Sequence, residues 1–201
     1  MMKRKHFIAT AGTTFAAFIL NQHFSVMAKV QPKMFHFEDD GSIPNNDLPL
    51  LLYGSAFAMR GNKGADWLEE KFMSNDWGNA WRWGVYPFHH YHSNTHEVLG
   101  VFSGNALLHL GGERGEKVQT NAGDLLIIPA GVGHKCLAHS DDFAVVGAYP
   151  KGLSPDLNKG EEDERPQADK NIEAVQLPAT DPLFGKDQGL REIWIKVNKV
   201  L

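Results

Sequence analysis

The sequence predicts an all-β fold: a single barrel or sandwich of short strands, with a short N-terminal helix before it and a long C-terminal arm after it. Three observations carry that prediction. Short apolar runs recur from 81 to 146, broken by turns that contain glycine, proline or asparagine. Two of the segments in that region carry histidines and a glutamate at spacings that suit strands and turns. A stretch rich in Pro, Asp, Gly and Lys follows, from 151 to 189. Many short strands with turn signals point to a sandwich or a barrel. The absence of an internal repeat points to one barrel.

The N-terminus has the layout of a secretory signal over residues 1–28. Lys3, Arg4 and Lys5 form a basic region, 7–20 is moderately apolar, and a cleavage point follows Ala28. The apolar part is shorter than the ~20 residues a membrane span needs. The run from Arg4 to Ile8 resembles a twin-arginine export signal, with Lys5 at the place of the second arginine. General secretion is the alternative route, and an ordinary terminus the plain one. The expectation is a periplasmic or secreted protein with no membrane span after cleavage.

Residues 29–80 are expected to pack on the barrel. Within them 65–73 reads as a helix, with Leu68 and Phe72 one turn apart and Trp67 beside them. Residues 81–150 form the expected barrel core. Residues 151–201 read as an arm anchored by Ile172, Val175, Leu177, Leu183 and Phe184. They end in a predicted strand over 190–197, with Ile193, Ile195 and Val197 on one face and Trp194 on the other.

The chemistry lies in two stretches. The first, 84–104, reads GVYPFHHYHSNTHEVLGVFSG; the second, 123–138, reads GDLLIIPAGVGHKCLA. In a strand, residues i and i+2 share a face, so His90 and His92 point one way and His89 and Tyr91 the other. Glu97 heads the next apolar run and can swing toward the two histidines. His134 follows a Pro/Gly turn and enters the same interior from another strand pair. Three imidazoles and a carboxylate suit one divalent first-row ion: iron, manganese, nickel, zinc or cobalt. The set has no thiolate, which argues against a closed structural zinc site. Coordination positions left open would admit water, substrate or dioxygen.

Counting back by twos from His90 places Tyr86 and Arg82 inward, as groups able to orient a small acidic or hydroxylated ligand. Arg82 turned outward to a surface carboxylate is the equal alternative. His96 is a candidate for hydrogen-bonding a ligand. His36, His109 and His139 read as ordinary polar side chains, and His89 as a surface group. Cys136 is the single cysteine, so no internal disulfide forms; it reads as a small buried hydrophobe.

The first stretch fits the first cupin motif, Gly-x5-His-x-His-x4-Glu-x6-Gly, at Gly84, His90, His92, Glu97 and Gly104. The second fits Gly-x5-Pro-x-Gly-x2-His-x3-Asn at Gly123, Pro129, Gly131 and His134, with Ala138 at the place of the asparagine. That change implies a lost hydrogen bond inside the barrel and leaves the metal ligands intact. Further segments, at 39–54, 145–157 and 164–185, resemble the small bacterial cupins of the YjlB type. The resemblance implies a single cupin double-stranded β-helix, a jelly-roll barrel, with one metal ion near an open end. It also implies a C-terminal arm of the kind that completes a homodimer.

The formal net charge of −4 becomes −7 once Lys3, Arg4 and Lys5 are removed. An acidic domain is a poor partner for nucleic acid. The partner expected is a small molecule. Three functions follow from the residues: a metal-dependent enzyme of dioxygenase, isomerase or lyase type; a non-catalytic binder of a small molecule or sugar; and a barrel with a vestigial or structural metal.

Overall fold

A computed structural model describes residues 31–186 and 188–198. The predicted export signal lies outside them. Among the described residues nine strands run β1 Lys33–Phe37, β2 Asn46–Tyr53, β3 Trp77–Trp83, β4 Glu97–Ser103, β5 Asn105–Leu110, β6 Glu116–Asn121, β7 Leu125–Ile128, β8 His134–His139 and β9 Ala144–Pro150. Helix α1 spans Gly61–Ser74, α2 Gln167–Ala174 and α3 Leu190–Asn198. All strand pairs are antiparallel. A six-stranded sheet in the order β1-β2-β7-β4-β9-β3 faces a three-stranded one in the order β6-β5-β8.

Side-chain alternation builds two cores from the same strands. Leu50, Leu52, Leu99, Val101, Leu126, Ile128 and Val145 point into the barrel and meet Leu108, Leu110 and Cys136. Their neighbours Leu51, Tyr53, Val98, Leu125, Ile127 and Val146 point out and are covered by α1 and α3. A sheet buried on both faces needs apolar residues at every position, which explains the unbroken runs of β2, β4 and β7. Gly100 in β4 shows how close α1 comes: a Cβ there would lie 2.8 Å from Leu68 Cδ1.

The expected boundary at residue 81 does not divide the fold. β2 pairs directly with β7 (Leu51 opposite Ile127), so the segment before 81 supplies strands of the barrel itself. The predicted last strand is instead the helix α3. Leu190, Ile193, Trp194 and Val197 form its covered face, a 3.6-residue pattern that the alternation of Ile193, Ile195 and Val197 conceals. Ala138 also departs from expectation. It sits exposed on β8 past a register shift, so its side chain is outside the barrel.

Trp194 is fully buried and its indole N–H donates to the Pro49 carbonyl at 2.9 Å. Trp194→Ala is expected to lower unfolding stability by about 3–5 kcal/mol, as large aromatic deletions in cores do. Urea denaturation measures this; a change below about 1 kcal/mol would contradict the placement of α3.

Candidate metal centre

His90 leaves the regular sheet. The segment 84–89 is irregular, and His90 joins β8 through an isolated antiparallel bridge to His134, with reciprocal backbone hydrogen bonds of 3.2 and 3.0 Å. That bridge sets two imidazoles side by side, their centroids 4.0 Å apart. Tyr91 then bridges Asn158 and points to a separate apolar cluster with Ile43 and Ala168, so His92 returns inward. The turn before His134 depends on Gly131, whose φ of +86° places a Cβ 2.5 Å from the Asn45 carbonyl oxygen.

One ligating atom from each of His90, His92 and His134 lies within 4.8 Å of the others. Glu97, on the inward face with Leu99 and Val101, puts Oε2 at 3.2 Å from His134 Nε2 and 3.6 Å from His92 Nε2. All four side chains are buried. The Nδ1 atoms face backbone carbonyls: His90 that of Phe88 at 3.4 Å, His134 that of Val132 at 3.1 Å, and His92 that of Asp156. A carbonyl only accepts, so each Nδ1 carries the hydrogen and each Nε2 faces the centre, where a cation would take the place of any proton shared with Glu97.

Glu97 Oε1 accepts from the Tyr149 hydroxyl at 3.0 Å, and Tyr149 in turn accepts from the Trp81 indole N–H at 2.9 Å. Glu97 Oε2 is buried without a hydrogen-bond partner among the described residues. Burial works against its charge, but the rings of His92 and His134 hold its carboxyl well below the usual range, so it is ionised. Burial also pulls His90 down to about 2. His92 is the exception: burial opposes its charged form, yet the Glu97 carboxylate keeps it above the ordinary imidazole value. Three inward lone pairs around a partnerless anionic oxygen fit a divalent cation, and a proton on His92 is its competitor.

The centre is the floor of a cavity of about 420 Å³. Tyr86, Trp81, Trp83, Leu99 and Leu157 are among its walls. The Tyr86 ring stands edge-on to His90 at 5.1 Å, and its hydroxyl forms no hydrogen bond with the described residues. Arg82 points the other way. Its guanidinium is held by Glu69 at 2.7 Å and Asp66 at 2.7 Å on α1. The irregular stretch 84–89 breaks the alternation that would have carried Arg82 inward, and Trp81 takes that place. His96 is also removed from the centre. It is buried against the Trp194 ring, and its Nδ1 accepts the Ala130 N–H at 3.0 Å. Burial pulls its pKa to about 4. It sits one position before Glu97 and so points away from the centre, under α3. Sequence patterns do not single out Trp81, Tyr149 or Asp156. Tyr149 leaves one trace, a phenol in phase with Val145 on an otherwise apolar strand.

The cupin domain family matches residues 84–147. A Bacillus subtilis (strain 168) protein described as uncharacterized protein YjlB is 45% identical over 168 residues, covering 83% of this chain and 98% of that one. The chain belongs to the YjlB-like cupins. Among solved structures this cupin is similar to procruciferin, the 11S globulin of Brassica napus, with a TM-score of 0.32 and 24% identity over 40% of this chain and 21% of that one. It is also similar to an acireductone dioxygenase from Bacillus anthracis with a cadmium ion in its active centre, at a TM-score of 0.34 and 15% identity, covering 46% and 63% of the two chains. No helix among the described residues is long and apolar enough to cross a membrane.

Tyr149→Phe removes the donor to Glu97 Oε1 and is expected to weaken divalent-metal affinity about 10–100-fold with the fold intact. Isothermal titration with Mn²⁺ or Zn²⁺ reads this directly. Arg82→Met is expected to leave the same affinity unchanged; a loss comparable to that of Tyr149→Phe would place Arg82 at the centre after all.

Proposed function

We propose that this cupin is a metal-dependent enzyme acting on a small, largely apolar organic molecule. The observation that carries the proposal is the set of three Nε2 lone pairs and the partnerless Oε2 of Glu97, gathered at the floor of an open cavity. His90, His92, His134 and Glu97 would hold the ion. A bound divalent ion supplies Lewis acidity toward an oxygen donor of the substrate. The set leaves positions for that donor, since four protein ligands do not fill a six-coordinate ion.

The chain's own groups do the rest. The backbone carbonyls of Phe88, Val132 and Asp156 fix the tautomer of each ring. Tyr149 and Trp81 hold Glu97 in place. Trp81, Trp83, Leu99 and Leu157 give the cavity apolar walls that favour a flat or apolar body on the ligand. The Tyr86 hydroxyl, with no partner among the described residues, is placed to hydrogen-bond a polar substituent. The Arg82 guanidinium is turned to Glu69 and Asp66, so it is not offered to a polyanion in the cavity.

Metal analysis of protein purified from its own host is expected to find close to one equivalent of a first-row metal at this centre, lost in His92→Ala. Oxygen uptake or product formation with a panel of small phenols, thiols and keto acids then separates an oxygenase or isomerase from a binder. Saturable ligand binding without turnover across the panel would favour the binder. Wild-type metal content in His92→Ala would refute the ligand set.

A further inference from the structure

The alternation that turns His90 into the barrel turns His89 out of it. His109 on β5 lies between the inward Leu108 and Leu110 and faces the same outer side. The two rings meet there with centroids 4.9 Å apart. Glu113, from the turn after β5, brings Oε1 to 3.5 Å from His89 Nε2. Ligating atoms of His89, His109 and Glu113 lie within 4.8 Å of one another.

His89 is the informative member. Its side chain is only 9% exposed, and neither ring nitrogen has a hydrogen-bond partner among the described residues. A buried polar group without a partner calls for an explanation. His109 is 5% exposed, while Glu113 is open to solvent. Lys135 donates to Glu113 Oε1 at 2.5 Å and is the competing cation.

We propose that His89, His109 and Glu113 form a second cation site on the outer face of the three-stranded sheet, suited to zinc. Two imidazoles and one carboxylate are a donor set that zinc takes at tetrahedral sites with one position left to water. The cation gives His89 the partner it lacks. The site is separate from the interior centre, although His89 and His90 are neighbours in the chain and Lys135 adjoins His134. The proposal does not rest on catalysis.

Equilibrium dialysis of the full-length, chelator-stripped protein against Zn²⁺ tests it. The wild type is expected to take up two equivalents. His109→Ala and His92→Ala each take one, and the double variant none. Glu113→Gln changes only an exposed side chain and so guards against misfolding of the His109 variant. It is expected to raise the dissociation constant of the outer equivalent about tenfold or more while the inner one stays as in the wild type. A single equivalent in the wild type, or two equivalents at unchanged affinity in Glu113→Gln, overturns the proposal.

Discussion

A carboxylate withdrawn from water must recover both its charge compensation and its hydrogen bonds from the protein, and Glu97 is 2% exposed at the head of β4. One of its oxygens is satisfied by Tyr149, which Trp81 holds in turn. The other faces imidazoles whose outer nitrogens are committed to carbonyls, so their inner nitrogens converge on it. Five parts of the chain are arranged around this one group: β3, the irregular segment before β4, β8, β9 and the start of the arm. An apolar residue of similar volume would pack there without such support. The supporting set has a physical rationale when a cation sits among those donors.

The geometry that delivers these groups is the two-residue period of the strand. Inward residues of β2, β4, β7 and β9 line the barrel, and the residues between them form a second core under α1 and α3. The same period splits neighbouring residues between faces, His89 from His90 and Lys135 from His134. One structural rule therefore yields a buried cluster inside and a second cluster of histidines on the opposite face of the small sheet.

The arm belongs to the site. The Asp156 carbonyl orients His92, Asn158 pairs with Tyr91, and Leu157 walls the cavity. Further along, the carboxylate of Asp181 accepts the N–H groups of Leu183, Phe184 and Leu190, which fixes the start of α3. The helix then covers the outer face of the large sheet. The ring that the arm orients through Asp156 is the same one whose charged form Glu97 favours.

The β-rich fold, the helix around Leu68 and Phe72, and the grouping of His90, His92, Glu97 and His134 were all legible in the residues. Each rests on a local period or a motif spacing, and those survive whatever packs nearby. The side of the chain taken by Arg82, the covering of His96 by Trp194, and the meeting of His89 with His109 were not legible. The form of 190–197 was written twice, as a strand-like alternation and as a helical 190-193-194-197 stripe. Tertiary structure chose between them, because burying Leu190, Ile193, Trp194 and Val197 on the sheet requires the helix. Sequence by itself determined which residues share a face; only the packed chain decided what each face meets, since those contacts join positions tens of residues apart and carry no local period.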